Sequence, residues 1–495
     1  MNRARYCKQS AKIEDMTSTK KKLRKITHNL STPATGFYAF VAFFVLVFFM
    51  GGGARDDIQS LLVLRPLAVI FCAYALTVKA PEQWKGRAFP LYIAGALLAL
   101  MVIQLIPLPP SVWTALPERQ IFAEIANLAG IEQPWRPLTL SPSKTLNSLF
   151  SLAVPIAAMM LYLNLDREYR RRAVPVIIVL CAVSALWGIF QIVGPPRGPF
   201  YLYRISNNGM AIGLFANRNH QAIMLACAIA MLGWYAASRT QGGKSVDRKY
   251  YASIIAILIF VPLIFIIGSR AGLLLMFPAI ALALSFIGFE HFRSATKRRA
   301  GRGAKQKSMT FSTRNVLFIA SVIAIIGIAA SSVLLSRSLA LDRLLGADRL
   351  LELRFQTLPT LIHMVEIYFP WGGGFGSFEH LYKIYEPQNL LSTRYLNQAH
   401  NDWLQFLIEG GLPAMGIAAA AFVWIVTRVA VLFKNRLASA TAAKQGLMCL
   451  IVMGLLLLAS LGDYPLRVPS IAATFAVLAC ILNDNVRSLQ RHRRE

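Results

Sequence analysis

Charged side chains are scarce in this chain. They occupy 15% of its 495 residues, where an ordinary soluble domain carries about a quarter. Acidic residues are the scarcer sign, 23 against 52 Lys and Arg. That balance excludes a string of soluble domains. Cysteine is also rare. Cys7 lies in a basic tail, and Cys72, Cys181, Cys227, Cys449 and Cys480 lie in apolar runs, with no CxxC spacing. This pattern excludes a disulfide framework and a CxxC metal motif. No convincing internal repeat is present.

Apolar runs fill the space that charge leaves. Hydrophobic residues make up 56% of the chain, and runs of about 20 residues can cross a bilayer core of roughly 30 Å. The composition predicts an all-α polytopic membrane protein forming one integrated helical domain. Twelve spans are expected, near 35–51, 60–78, 88–107, 147–164, 173–193, 212–237, 251–268, 271–289, 315–335, 410–433, 446–462 and 469–483. The segment 1–34 is too long for an ordinary signal-peptide leader, so the first run is read as a retained anchor.

A net charge of +29 raises the question of nucleic acid, and its distribution answers it. The segments 1–34, 79–87, 165–172, 238–250, 290–314, 434–445 and 484–495 hold 35 of the 52 basic residues. The largest alternate segment, 336–409, has six basic and eight acidic residues. This is the positive-inside pattern, which places both termini in the cytoplasm and 336–409 outside. The tract "KRRAGRGAKQK" is read as a topology signal that meets anionic lipid, not as a nucleic-acid site.

Charge inside a membrane is costly and tends to be functional. From Tyr251 to Phe289 the only charge is Arg270, in "FIIGSRAGLLLM". The stretch is about two spans long, so a turn is expected near its middle, permitted by Gly268 and Gly272. Arg270 then lies at outer headgroup level. There it either snorkels to lipid phosphate or clamps a diphosphate with its guanidinium fork. Asn217, Arg218, Asn219 and His220 open the sixth span. The amides suit a helix cap, and Arg218 at a helix N-terminus favours an anion. Arg204, in the loop before, is a weaker candidate.

Within 336–409, "FPWGGGFGSFEHLYKIY" lacks the Lys-Ser/Thr ending of a phosphate-binding P-loop. It is read as a flexible turn or backbone-contact loop. Arg354 lies on an amphipathic stretch expected to rest on the membrane surface. In "YLNQAHNDWLQFLIEGGL", Asn397 is expected to cap a helix that carries His400 at its third position. Trp403, Leu404 and Leu407 would share the face of His400. The helix would end at Gly410-Gly411, and Pro413 would start the next span. A neutral histidine near a hydroxyl can act as a general base, though a lone histidine can also be purely structural. Asp56 and Asp57 in "GGGARDD" offer either a metal-binding carboxylate pair or a solvated turn.

Taken together, "GLFANRNHQA" before a span, "GSRAG" between two spans, and "PWGGGFGSF" with "AHNDWLQFLIEGGL" in a long external loop resemble the O-antigen ligase and polymerase superfamily of bacteria. The resemblance covers roughly 205–435. It leaves a basic tail (1–34), N-terminal spans (35–204) and C-terminal spans with a basic tail (436–495) on either side. It implies a GT-C-like glycosyltransferase of the inner membrane, metal-independent and without cofactor. The implied donor is a glycan on undecaprenyl diphosphate. The implied acceptor is lipid A–core for a ligase, or a growing glycan for a polymerase. By the resemblance His400 corresponds to the family's loop histidine, Arg270 and Arg218 to its arginines, and Arg354 to a recurrent loop arginine. Asn401 would orient the ring or the sugar, with Asn217, Asn219 and Arg204 nearby. A flippase for the same glycans is the rival, but transporters place polar groups near the bilayer midplane.

The topology predicts that a reporter fused after Lys305 reads as cytoplasmic and one fused after Lys383 as external. The opposite result at either position would sink the topology.

Overall fold

A computed structural model of the chain describes residues 32–78, 84–238, 248–300, 323, 327, 349–391, 396–437 and 439–494. Among them, ten helical segments are long and apolar enough to cross a membrane. The protein is an all-α polytopic membrane protein. Most of the expected span 315–335 and of the tail 1–34 lies outside the described residues.

Helix α1 (Pro33–Met50) starts where the Thr32 hydroxyl accepts from the Thr35 amide and Pro33 takes the first position, a favoured N-terminal arrangement. It is followed by α2 (Leu61–Val78) and α3 (Phe89–Gln104). At 16 residues α3 is shorter than the expected span 88–107. Gln104 ends it by turning inward, donating to the Glu409 carbonyl at 3.0 Å and accepting from the Phe375 amide at 3.0 Å. A small layer follows: β1 (Pro107–Leu108), α4 (Pro110–Trp113), α5 (Gln120–Leu128) and β2 (Arg136–Pro137), the two strands pairing antiparallel. The buried Arg119 ties it together, donating to the carbonyls of Pro117 and Leu138 at 2.9 and 2.8 Å. Burial pulls its guanidinium pKa down to about 10, so it stays cationic at neutral pH.

Next come α6 (Pro142–Ser151), α7 (Ala153–Asn164), α8 (Arg167–Arg170), α9 (Ala173–Val193), α10 (Arg218–Ser238), α11 (Arg248–Ile267) and α12 (Arg270–Ala300). The α11–α12 turn occurs where expected, at Gly268, whose φ of 62° favours glycine. Gly272 does not form the turn. It sits within α12, where a Cβ would run into Ala222 of α10. α10 is the most enclosed of the ten spans. It meets α12 through two small-residue contacts, Gly272 on Ala222 and Gly233 on Ala283. Lipid removes the hydrophobic drive between helices, so such close approach is what holds spans together.

Among the described residues there follow α13 (Arg349–Ile367), α14 (Phe378–Tyr385), α15 (Asp402–Lys434), α16 (Ala440–Ala459) and α17 (Pro469–Arg494). α13 carries the amphipathic stretch. Its Leu361 and Met364 pack with Phe378 and Tyr382 of α14 and with Ile408 of α15. α15 is two helices joined across Gly411 (φ 56°, ψ −149°), with Pro413 just beyond. That is the break expected at Gly410-Gly411.

The two ends of the bundle differ. Near the C-terminal end of α17, Asp484 accepts from Arg87 at 2.7 and 2.9 Å, from Arg170 at 2.7 Å and from Tyr162 at 3.2 Å. This clamp lies about 22 Å from the start of α17, at 1.5 Å per residue. The turns that carry the candidate site gather at the other end.

Gly233→Ile should destabilise the bundle by about 1–3 kcal/mol through overpacking against Ala283. Gly95→Ile, on a face of α3 with open space around it, should shift stability by less than about 0.5 kcal/mol. Thermal midpoints in detergent measure both, and equal shifts would remove the close-packing account.

Candidate functional site

Three turns converge at one end of the bundle, and each holds its polar residues for a local reason. Before α10, the Asn217 side chain accepts from the Asn219 amide at 2.9 Å, the capping role expected of it. Before α12, Ser269 caps: its hydroxyl oxygen accepts from the Gly272 amide at 3.2 Å. The Ser269 hydroxyl donates in turn to Asn219 Oδ1 at 2.9 Å. Arg218 and Arg270 are therefore the first residues of two helices whose N-termini are bonded side by side. The partial positive charge of each terminus adds to that of its arginine. The Arg218 amide donates to Asn207 Oδ1 at 2.9 Å, and its guanidinium lies 3.6 Å from the Met210 sulfur.

The third turn, between α16 and α17, supplies a residue that the motifs did not single out. Asp463 is fully buried. Its Oδ2 accepts from Asn219 Nδ2 at 2.7 Å, and its Oδ1 accepts from the Tyr464 amide at 2.9 Å. The same Oδ1 lies 3.3 Å from His400 Nδ1 and 3.8 Å from His220 Nε2. The Tyr464 ring contacts both imidazoles, with centroids 4.9 Å from His400 and 5.1 Å from His220. A sequence signal for Asp463 exists. From Gly446 to Leu482 the only charges are Asp463 and Arg467, the same pattern that singles out Arg270.

His400 is placed differently from expectation. Asn397 does not cap the helix; Asn401 does, accepting from the Leu404 amide at 3.1 Å. His400 lies outside the helix with a φ of 50°, an uncommon conformation for a non-glycine residue. It therefore shares no helix face with Trp403, Leu404 and Leu407. The cause is Asp402. Its amide donates to the Ser460 carbonyl at 2.9 Å, and its carboxylate takes Arg467 at 3.0 Å, Ser460 at 3.1 Å and the Leu466 amide at 3.3 Å. These bonds pin the first helical residue. Gln405 also accepts from the Ala399 amide at 2.9 Å, holding the approach outside the helix.

Arg467 bridges Asp402 and the fully buried Glu409, at 3.1 Å from the latter. Burial opposes its charge, yet the two carboxylates together raise its pKa above the usual guanidinium value. The glycine-rich loop docks on the same part of α15. The amides of Gly373 and Gly374 donate to the Ile408 and Glu409 carbonyls at 2.8 and 2.9 Å. Gly374 has a φ of 101°, and a Cβ there would strike Thr139. The loop is thus a backbone contact, and its amides are committed to protein acceptors.

The other candidates lie apart. Arg204 is exposed and pairs with Asp57 at 3.7 Å. Asp57 also takes Arg55 at 2.9 Å, whose hydrogen bond holds its carboxyl below the usual range. Asp56 pairs with Lys144, so the two adjacent carboxylates serve different cations. Arg354 falls on α13, and its side chain lies outside what the structure describes. Among the described residues, no group of three or more His, Cys, Asp or Glu side chains is placed to hold a metal ion. A cavity of about 820 Å³ runs beside Asp402 and Arg467, walled by apolar residues such as Phe89, Met101 and Phe422.

A buried carboxylate beside one ring nitrogen of a histidine orients the ring and favours the tautomer in which the other nitrogen is the basic one. Two paired helix N-termini with arginines suit an anion. Arg467→Ala should strand Asp402 and Glu409 as buried charges and cost about 3–5 kcal/mol. A thermal midpoint within experimental error of the unaltered protein would show that the network carries no such load.

Residues 254–419 match the family model described as O-antigen ligase. The match lies inside 205–435 and contains Arg270 and His400. None of the curated proteins matches the chain.

Proposed function

We propose that this chain, whose segment 254–419 matches the O-antigen ligase family model, moves a glycan from undecaprenyl diphosphate to an acceptor hydroxyl on lipid A–core. The reaction takes place on the external face of the inner membrane. The observation that carries the reading is the hydrogen-bonded chain His400–Asp463–Asn219–Ser269. It joins a proton acceptor to two arginine-bearing helix N-termini.

The donor's diphosphate binds at Arg218 and Arg270, where guanidinium forks and helix N-termini neutralise its charge. His400 donates from Nδ1 to Asp463, which fixes the ring and makes Nε2 the basic nitrogen that takes the acceptor's proton. The acceptor oxygen attacks the anomeric carbon from the face opposite the diphosphate and inverts it. The glycosyl–phosphate bond breaks, its electron pair leaves with the diphosphate, and the hydroxyl proton passes to His400. Charge held on the leaving group supplies the main stabilisation. No nucleoside triphosphate is needed, since the bond to diphosphate stores the energy, and the two arginines take the charge-holding role that a metal ion fills in metal-dependent transferases. The cavity along α3 and α15 offers apolar room for a lipid-borne substrate. The clustering of these polar groups at one end of the bundle speaks against a flippase, which would place them near the midplane.

A purified transfer assay with lipid-linked donor tests the reading. His400→Ala and His400→Gln should each lose about 10²–10⁴-fold in rate, with donor binding retained. Asp463→Asn should fall in rate with its pH profile displaced. Arg270→Ala should weaken turnover, and Arg270→Lys should restore little, because a point charge lacks the fork. Activity should survive a strong chelator. An active His400→Gln variant would make the residue a packing element, and a fully active Arg270→Lys would leave that arginine a lipid anchor. A deletion strain that makes short single-repeat glycan, instead of bare lipid A–core, would transfer the reading to a polymerase.

A further inference from the structure

The small layer between α3 and α6 exposes an apolar surface that the site does not use. Helix α5 has three sectors at 100° per residue. Phe122, Ala123 and Ala126 face inward, where Phe122 packs edge-on against Trp113. Gln120, Glu124 and Asn127 make a polar sector. Ile121, Ile125 and Leu128 form a third, apolar sector that faces away from the protein, with Leu128 89% exposed. Ile131 and Trp135, 66% exposed, extend it beyond the helix. A stripe of this kind on a folded, internally bonded layer needs an occupant.

Continuity indicates which. The lipid-facing side of α3 exposes Val102 and Ile103, and exposure continues through Ile106 and Val112 toward α5. α3 has 16 residues, so it measures about 24 Å against a bilayer core of roughly 30 Å. The chain that follows it therefore still lies within the interfacial zone. A helix with one protein-facing sector, one apolar sector and one polar sector suits that boundary, and tryptophan is enriched there.

We propose that Ile121, Ile125, Leu128, Ile131 and Trp135 form a surface immersed in the membrane interface at the Gln104 end of α3. Arg119 adds a consequence. Its guanidinium, which holds this layer together, also lies 3.4 Å from the Gly372 carbonyl in the glycine-rich loop. That loop is bonded to Ile408 and Glu409 of α15. The immersed surface thereby sets the depth of the loop, and of the start of α15, relative to the lipid headgroups.

Site-directed spin labels test this on the full chain in phospholipid nanodiscs, with the native cysteines replaced. Labels are placed by Ile121→Cys, Ile125→Cys and Leu128→Cys, and by Glu124→Cys and Asn127→Cys. The probes are molecular oxygen, which partitions into lipid, and a water-soluble nickel chelate. The first three labels should be oxygen-accessible and shielded from nickel, and the last two should show the inverse ratio. In a second measurement, brominated phospholipid should quench the unaltered protein more than Trp135→Phe. Nickel access at all five positions would place the stripe in water and overturn the proposal. Shielding from both probes at 121, 125 and 128 would assign the surface to a protein partner and overturn it equally, as would bromolipid quenching unchanged by Trp135→Phe.

Discussion

The geometry of the candidate site depends on one buried carboxylate. Asp463 is excluded from solvent, and a charge so placed is tolerated only if donors surround it. It recruits them from separate parts of the chain: its neighbour's amide at Tyr464, Asn219 at the start of α10, and His400 before α15. Meeting that single demand brings a histidine to a helix N-terminus. Asn219 is satisfied on its other side by Ser269, which extends the arrangement to the N-terminus of α12 and to Arg270. The site is a consequence of keeping Asp463 hydrogen-bonded.

A second set of buried charges sets the position of the histidine. Asp402 and Glu409 share Arg467, and Asp402 is held as the first residue of α15 by Ser460 and Leu466 as well. The chain before it cannot join the helix, so His400 stays in a bend outside it, with a positive φ. The backbone carbonyls of Ile408 and Glu409 receive the glycine-rich loop, and Gln104 reaches the same Glu409 carbonyl from α3. One turn of α15 thus anchors the loop, the end of α3 and the ion-pair network. This concentration gives the site a rigid floor, in keeping with a reaction that depends on positioned groups.

The rest of the bundle obeys the solvent that surrounds it. Spans meet through small residues, as Gly233 meets Ala283 and Gly272 meets Ala222, because packing replaces the hydrophobic drive. Charged side chains are compensated at the two ends. Asp484 is clamped by Arg87 and Arg170 at one, and Asp463, Asp402 and Glu409 are satisfied at the other. Between the ends the spans stay apolar, which concentrates the polar chemistry at the membrane boundary.

Several elements were legible in the sequence because they depend on local pattern. Apolar length marks the spans, a lone charge between two apolar runs marks the Gly268–Arg270 turn, and Asn217 before an apolar run marks a cap. The break at Gly410-Gly411 was likewise readable, since glycine and proline act on their own backbone. The tertiary structure alone decided which polar groups pair. Asp463, with Arg467, interrupts an apolar stretch much as Arg270 does, but its partners lie 63 and 244 residues away in the chain, and no local pattern encodes such a separation. The helix start moved from Asn397 to Asn401 for the same reason. Both asparagines are competent caps, and the choice fell to distant groups, Ser460 and Arg467, that claim Asp402. Periodicity reports whether a residue is buried, whereas the identity of its partner follows from how the helices pack.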